Sequence, residues 1–461
     1  MRLNGNNISD ISILKNCKFE KLEYLYLNKN KISDINILEK VNFKELKELY
    51  LGDNNISDIK ALENINFPKL EVLWLRNNEI SDINVLEKVN LKELKELNLS
   101  NNILSDIKIL EKVKFEKLEF LFLNNNEISD INILEKVKFK KLKELNLDNN
   151  KISNINILQN VKFENLNYIY LENNKISDIS VLEKVNFKEL TELNLDKNKI
   201  TNIQVLEKVK FGKLDKLFLN VNKIININIL DKLNFRELKQ LNLGCNGISD
   251  IQILDKVNFP NLEILSLQAN KIIDIDILEK VNFKELIGLD LGHNMISDIE
   301  ILQRVEFNNL EILWLFGNNI RDIQVLENVK FEKLNELKLN NNKISDINIL
   351  EKVNFKDLKI LYLNNNEISN IDILTNCKFE KLEELVLNDN KISDINVLEK
   401  VNFKELNELN LGNNVISDIN VFKNVKFNKL KKLYLIKNKF DKVKFSNVIN
   451  ILKNIVEEFN Y

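Results

Sequence analysis

The sequence has few of the residues on which enzymes and disulfide-rich domains depend. Its 461 residues include one histidine (His293), two prolines, two tryptophans and three cysteines. The cysteines stand too far apart to indicate a disulfide framework or a zinc site; they are Cys17, Cys245 and Cys377. We interpret them as small core hydrophobes, which agrees with a reducing compartment.

Long apolar runs and an excess of either charge are also missing. No stretch approaches the ~20 apolar residues of a membrane span. Lysine and arginine total 67 against 69 aspartates and glutamates, so nucleic acids and anionic membranes, which favour a basic protein, are not predicted partners. The sequence opens without the apolar stretch of a signal peptide. We predict a cytoplasmic protein; a secreted or cell-surface protein is the alternative if a leader has been removed.

Catalytic motifs are missing as well. No HExxH, CxxC, phosphate-binding loop or GxGxxG occurs. The best available pair is Cys245 with His293, whose backbones we expect ~10 Å apart on alternate strands of a sheet. A Cys–His dyad needs an approach of about 3 Å. We therefore predict no enzymatic activity, no cofactor, no metal and no small-molecule substrate.

What the sequence contains is one pattern repeated along its length. Leucines recur every 24 residues, as at Leu22, Leu46 and Leu70, and continue to Leu430. The pattern is LxxLxLxxNxIxxIxxLxxVxFxx, and 17 complete units lie between residues 22 and 429. A period held without a slip over this length indicates a stack of similar structural coils.

The first half of each unit predicts a strand followed by a turn. Leu25 and Leu27 are two residues apart, so both point to one face of a strand while their neighbours point to the other. Asn30 stands at position nine of its unit, and asparagine occupies that position in all 18 units that open with leucine. We expect it to satisfy backbone groups where the chain leaves the strand, because its side chain both donates and accepts.

The second half of each unit predicts a tight helical turn. Ile32, Ile35 and Leu38 recur at a spacing of three, which suits such a turn. Ser33 and Asp34 precede it and are suitable N-caps. A calcium ladder is the alternative for the recurrent aspartates, but their position beside serine, once per turn, favours capping. The phenylalanines near the end of each unit should stack into a continuous spine.

LxxLxLxxNxI is the signature of the leucine-rich-repeat family, which this sequence resembles from about residue 3 to residue 440. The continuation NxISDIxxL is similar to the repeats of internalins and of regulatory subunits of a protein phosphatase. Those repeats are usually about two residues shorter. The resemblance implies an α/β leucine-rich-repeat solenoid, a curved horseshoe with a parallel β-sheet on the concave face and short helical turns on the convex face. It also implies protein binding at the concave face.

The two ends depart from the pattern. The repeats (1–440) begin in mid-unit with no cap before Leu3, which would expose apolar side chains and strand edges. We expect a truncated gene product, a missing N-terminal segment or an end-to-end contact there. Residues 441–461 have helical spacing, with Ser446 as the candidate cap, and we interpret this helix as a lid on the last repeat rather than as a partner-binding or membrane-surface helix. Its apolar residues are Phe445, Val448, Ile449, Leu452, Ile455, Val456 and Phe459.

The residues at the buried, structural positions hardly vary from unit to unit. Information about a partner should therefore lie at the outward positions, whose residues do vary. Position five of the unit is aromatic in nine of the 18 units and alternates with asparagine over part of the chain. Exposed tyrosine and tryptophan are enriched in binding hot spots, although strand preference combined with duplication of repeats also explains the column. The predicted protein-binding residues on the concave face are Tyr26, Tyr50, Trp74, Phe122, Tyr170, Phe218, Asp290, His293, Trp314, Tyr362 and Tyr434.

The stretch from about 214 to 317 differs most from the pattern. At position eight it has Val221, Cys245, Ala269, His293 and Gly317, where most units have asparagine, lysine or aspartate. Either relaxed drift or a specialised contact patch explains the difference. We predict a protein-interaction module, an intracellular scaffold or regulatory protein; the alternative is an internalin-like adhesion protein of the cell surface or the exterior. Nucleic-acid binding is a third hypothesis, against which the charge balance argues.

Overall fold

The computed structural model describes residues 1–17, 19–425 and 427–461. It divides into two compact units: Met1–Ile224 with Leu233–Glu237, and Ile225–Lys232 with Leu238–Tyr461. Both units consist of many similar coils. In each coil a three-residue strand is followed by a turn and a short 3-10 helix.

The first unit is a parallel sheet in which each strand pairs with the next along the chain, one repeat later. Leu25 lies beside Leu49 in this register, and Leu49 lies beside Leu73. The strands are β1 (Tyr24–Tyr26), β2 (Glu48–Tyr50), β3 (Val72–Trp74), β4 (Glu96–Asn98), β5 (Phe120–Phe122), β6 (Glu144–Asn146), β7 (Tyr168–Tyr170), β8 (Glu192–Asn194) and β9 (Lys216–Phe218). The 3-10 helices are Ser12–Asn16, Asn36–Lys40, Lys60–Asn64, Asn84–Glu87, Lys108–Glu111, Asn132–Glu135, Asn156–Gln159, Ser180–Lys184 and Gln204–Glu207.

The second unit repeats this arrangement and ends differently. Its strands are β10 (Gln240–Asn242), β11 (Ile264–Ser266), β12 (Gly288–Asp290), β13 (Ile312–Trp314), β14 (Glu336–Lys338), β15 (Ile360–Tyr362), β16 (Glu384–Val386), β17 (Glu408–Asn410), β18 (Lys432–Tyr434) and β19 (Glu458–Asn460). Its 3-10 helices are Asn228–Lys232, Gln252–Lys256, Asp276–Glu279, Glu300–Gln303, Gln324–Glu327, Asn348–Glu351, Asp372–Thr375, Asn396–Glu399 and Asn420–Lys423. One α-helix, α1, spans Ser446–Ile455. The predicted solenoid of parallel strands and short helical turns is confirmed in both units.

The core lies between the strands and the 3-10 helices. Leu49 and Leu51, at positions four and six, are fully buried, because alternate residues of a strand face the same side. The phenylalanines near the end of most repeats are buried, and the rings of Phe43 and Phe67 stack 6.2 Å apart and nearly parallel; Leu91 interrupts the column. Each such ring buries roughly 150–250 Å², so the buried phenylalanines add to the apolar core of the coils.

The asparagine at position nine forms the predicted ladder. The Asn54 amide nitrogen donates to the carbonyls of Leu27, Leu51 and Gly52 at 3.0, 3.0 and 3.2 Å. Its amide oxygen accepts the N–H of Ile32 at 2.9 Å. One side chain thus satisfies backbone groups of its own coil and of the preceding coil.

The start of most 3-10 helices is capped by an aspartate carboxylate, and of the others by an asparagine amide oxygen, as at Asn154, but not from the usual N-cap position. Asp34 accepts the N–H of Asn36, the first helical residue, at 2.7 Å. Ile35 occupies the N-cap position and makes no side-chain cap. The aspartate therefore stabilises the turn from one residue further back than an ordinary N-cap.

Two expectations about the C-terminal residues are wrong. Ser446 does not cap α1, because Phe445 occupies the N-cap position and Asp441 accepts the N–H groups of Val443 and Lys444 instead. Phe459 does not extend the helix; it lies in β19, which pairs in parallel with β18. The helix ends at Ile455 because the following backbone is extended, and this allows one more strand to cover the edge of the sheet.

Candidate protein-interaction surface

The outward side chains of the strands form one surface in each unit, here called the sheet face. It consists of positions three, five and seven of each repeat, such as Glu144, Asn146 and Asp148. The nine aromatic residues predicted at position five all lie on it, and each is half-buried. Their rings are therefore partly packed against neighbouring strands and partly open to a partner; they are Tyr26, Tyr50, Trp74, Phe122, Tyr170, Phe218, Trp314, Tyr362 and Tyr434.

Three of the predicted residues form one cluster at the start of the first unit. The rings of Tyr26 and Tyr50 stack at 4.8 Å, and Trp74 meets Tyr50 edge-on at 4.8 Å. The Glu48 carboxylate accepts both tyrosine hydroxyls, at 3.3 and 2.9 Å. Burial and this carboxylate raise the pKa of Tyr50. With Arg76, whose guanidinium lies 5.3 Å from the Trp74 ring centroid, the cluster lines a depression of about 390 Å³.

Phe122, Tyr170 and Phe218 stand on alternate strands, and asparagines separate them along position five. Each of these asparagines bonds to its own chain: the Asn146 side chain, for example, accepts the N–H of Asp148 at 3.0 Å. The asparagine therefore shapes the end of its strand, while the aromatic residues on either side remain free to contact a partner. Along position five, asparagines that bond to their own backbone thus alternate with half-buried aromatic residues.

Residues of β13, β14 and β15 form a second cluster, in the second unit. The Trp314 indole donates to Glu336 at 2.9 Å, and Glu336 also pairs with Lys338 at 2.6 Å. The Lys338 ammonium lies 4.3 Å from the Trp314 ring centroid and 5.2 Å from that of Tyr362. A cation held between two aromatic rings is favourable, and it fixes both rings in place.

Glycines make room for the rings of this cluster. A Cβ at Gly292 would stand 2.4 Å from the Phe316 ring, and a Cβ at Gly317 would stand 2.3 Å from Nδ1 of His293. The His293 and Phe316 rings meet edge-on at 4.9 Å. Phe316 was not among the predicted contact residues. The sequence signal that could have identified it is its outward position next to Gly317, where most repeats have asparagine, lysine or aspartate.

Two predicted residues differ from the rest of the set. Asp290 lies on the sheet face but is buried, with 7% exposure, and it accepts the N–H of Gly292 at 3.0 Å. Burial raises the pKa of this carboxyl. His293 is exposed and follows β12, and its ring contacts Phe316, which follows β13. Asp290 thus bonds within its own coil, whereas the His293 side chain is exposed to solvent.

Position eight has a backbone constraint that sequence reasoning missed. In nearly every repeat this residue is left-handed, with φ of 51° at Asn77, 53° at Val221 and 51° at His293. Asparagine, aspartate and glycine tolerate this conformation better than other residues. Their frequency at position eight was the available signal. Val221, Cys245 and Ala269 in the 214–317 stretch are therefore strained at this position, whereas Gly317 is not.

Carboxylates accumulate on the sheet face of the first unit. Burial, followed by the nearby Glu96 and Glu192, raises the pKa of Glu144. Burial also raises the pKa of Asp148 and of Asp196 to about 7. This surface is therefore rich in acidic groups that are poorly solvated.

The fold and this surface were compared with known proteins. A sequence profile described as leucine rich repeats (two copies) matches more than half of the chain, at residues 44–88, 68–112, 116–160, 164–208, 284–328, 356–400 and 380–424. A search of curated protein sequences finds no match. Within the described residues, no helix has the length and apolarity needed to cross a membrane.

Several solved structures share the fold. An internalin from Listeria monocytogenes is 28% identical, with a TM-score of 0.52 over 72% of this chain and 84% of that chain. A leucine-rich-repeat protein of Leptospira interrogans is 21% identical, with a TM-score of 0.61 over 98% and 99% of the two chains. The ectodomain of the Arabidopsis thaliana receptor kinase GASSHO1/SCHENGEN3, solved with CASPARIAN STRIP INTEGRITY FACTOR 2, is 20% identical, with a TM-score of 0.65 over 95% of this chain and 56% of that chain. The latter two likenesses support the fold alone.

Proposed function

We propose, on the premise that this chain belongs to the leucine-rich-repeat family, that it is a non-catalytic module which binds a protein partner through its sheet faces. Proteins of this family are generally protein-interaction modules. The observation that carries the proposal is the column of half-buried aromatic residues at position five. Rigid aromatic rings that keep an open edge contribute much of the binding energy of protein interfaces.

The compartment has two candidates. An intracellular scaffold or regulatory protein is our first proposal, supported by three cysteines that form no disulfide. An internalin-like adhesion protein is the second, supported by the similarity to the Listeria internalin. Protease added to intact native cells, with detection of the chain by an antibody, distinguishes them. An intracellular protein is protected from the protease, and an adhesion protein is digested.

The test of binding uses Tyr170→Ala combined with Phe218→Ala. We expect affinity for the partner captured from the native cell to fall roughly tenfold or more, as for hot-spot residues. The melting temperature should change little, since both rings are only half-buried. Glu164→Ala, on an exposed loop of the first unit, is the matched control.

A second variant gives the opposite result. Asn222→Ala should lower the melting temperature, because the Asn222 side chain accepts the N–H of Ile200 at 3.0 Å, and it should leave the partner-binding residues in place. If the aromatic variant instead loses stability and keeps its affinity, the rings are structural and the proposal fails.

A further inference from the structure

On the sheet face of the first unit, four of the five strands from β4 to β8 have outward carboxylates, and β5 has none. From β4 to β8, positions three, five and seven include six carboxylates and no lysine or arginine. We call this set the acidic face; its carboxylates are Glu96, Glu144, Asp148, Glu172, Glu192 and Asp196. The near-neutral composition of the whole chain conceals this segregation of charge.

Most of this negative charge is not compensated within the chain. Glu172 pairs with Lys197 at 2.8 Å, and Glu192 pairs with Lys216 at 3.1 Å. For the other four carboxylates, no basic side chain of residues 1–17, 19–425 or 427–461 lies within 4.0 Å. Bringing several partly buried anions together is unfavourable, and a cation supplied by a partner would relieve the repulsion.

Aromatic rings lie between the carboxylates. Phe120 and Phe122 on β5 and Tyr170 on β7 are half-buried, and Tyr168 on β7 is exposed. The two tyrosine rings are parallel, with centroids 6.4 Å apart. Ring faces attract lysine and arginine head groups, so the aromatic residues and the carboxylates favour the same kind of side chain.

The carboxylates also have a regular spacing. Glu96, Glu144 and Glu192 occupy position three of β4, β6 and β8, and Glu144 pairs in register with its neighbours in the sheet. Alternate strands of a sheet lie ~9.6 Å apart. An extended polypeptide in the polyproline II conformation repeats every three residues, or ~9.3 Å. Side chains three residues apart on such a segment would therefore meet successive carboxylates of the row.

We propose that the acidic face binds an extended basic polypeptide segment, with lysine or arginine at every third residue, lying across strands β4 to β8. This inference rests on the proposed function and names the chemistry of the partner in the first unit. The cationic head groups pair with Glu96 and Glu144, which have no basic partner within 4.0 Å among the described residues, and their stems lie against the rings of β5 and β7. An acidic segment would meet six carboxylates on the same surface and is excluded by repulsion.

The test uses the full chain and two fluorescent peptides of equal length and composition. One peptide has arginine at every third residue, and the other has the same arginines in one consecutive block. We expect fluorescence anisotropy to show roughly tenfold tighter binding of the evenly spaced peptide, since the pairs with Glu96 and Glu144 form at once. Binding should weaken as salt is added, because salt screens these pairs.

Two variants show whether the acidic face is responsible. Glu96→Gln with Glu144→Gln removes two charges while retaining acceptor oxygens, including the one that receives the Trp74 indole N–H, and it should abolish the preference for even spacing. Glu116→Gln with Glu164→Gln is the matched control, since both residues lie at one exposed loop position of the repeat. This control should bind as the unaltered protein does.

Three results would overturn the proposal: equal affinity for the two peptides, equal loss in both double variants, or spermine competing as effectively as the evenly spaced peptide. The last result would indicate a site for free polycations rather than for a polypeptide. Failure here is distinguishable from failure of the proposed function. If the captured partner loses affinity for the Tyr170 and Phe218 variant but not for the Glu96 and Glu144 variant, protein binding stands and its basic chemistry does not.

Discussion

The asparagine ladder permits the most quantitative prediction, at Asn150 in the first unit. The amide nitrogen of Asn150 donates to the carbonyls of Leu123, Leu147 and Asp148 at 3.0, 3.1 and 3.1 Å. Its oxygen accepts the N–H of Ile128 at 2.9 Å. Replacement by alanine removes all four bonds from a side chain that is only 7% exposed.

The cost is smaller than four bonds suggest, because the three carbonyls keep other donors. Leu123 still accepts from Asn126, Leu147 from Asn174 and Asp148 from the N–H of Asn125. Only the N–H of Ile128 loses its sole partner. A buried donor without a partner costs about 1–3 kcal/mol, so we expect Asn150→Ala to lower the free energy of unfolding by roughly that amount.

Urea unfolding followed by circular dichroism measures this loss, and amide hydrogen exchange locates it. Repeat proteins can unfold in parts, so exchange at Ile128 should accelerate more than exchange in distant coils. Asn132→Ala is the matched control, because Asn132 is exposed, and it should stay within about 0.5 kcal/mol of the unaltered protein. If the two variants unfold alike, the ladder does not stabilise the coil as argued.

Two further predictions concern strain and pH. Val221→Asn should raise the free energy of unfolding by about 1 kcal/mol, because a β-branched residue at φ 53° is strained where asparagine is not. The opposite change at an equivalent position, Asn125→Val, should lower the free energy of unfolding in the same urea assay. An unchanged unfolding midpoint in both variants would contradict the strain. Asp148 and Asp196 have their pKa raised by burial to about 7, so the folded state binds more protons than the unfolded chain between about pH 4 and pH 7, and stability should be highest below that window and fall as pH rises through it. At pH 8 the variant with Asp148→Asn and Asp196→Asn should therefore have a free energy of unfolding about 1–2 kcal/mol above that of the unaltered protein, after allowance for solvent screening. At pH 4 the two proteins should unfold at the same urea concentration. An equal difference at both pH values would show that the carboxyl groups do not titrate in this range.

The coil could be predicted from the sequence because its determinants are local and repeated. Leu25 and Leu27 show which strand face is buried. Asn30 recurs at one position of every coil and Phe43 at one position of nearly every coil, with Leu91 as an exception, so each prediction could be checked many times within one chain. The unrepeated C-terminal residues offered no such check. Phe459 fitted helical spacing, yet its place in β19 depends on the open edge of β18, a tertiary effect that short-range periodicity does not contain.

The surface was less predictable than the coil for a different reason. Whether Asp290 is exposed depends on the side chains of the strands beside it, and those residues are 24 positions away in the sequence. The left-handed residue at position eight was visible only as a mixture of asparagine, aspartate, lysine and glycine. That mixture resembles ordinary surface variation unless the backbone angle is known.

The segregation of charge explains why composition alone is a poor guide to the partner. A net charge near zero argued against nucleic acids and anionic membranes, and that argument holds for any partner that contacts the whole surface. A sheet face, however, presents only three outward positions of each 24-residue repeat. In the first unit those positions are acidic from β4 to β8, whereas in the second unit the strands from β10 to β13 contribute Asp290 as their one charged residue at the same positions. The buried positions of every coil are committed to stacking, so on the sheet face only these few positions can vary with a partner. The charge of the sheet face, counted strand by strand, is therefore the quantity from which partner chemistry should be inferred.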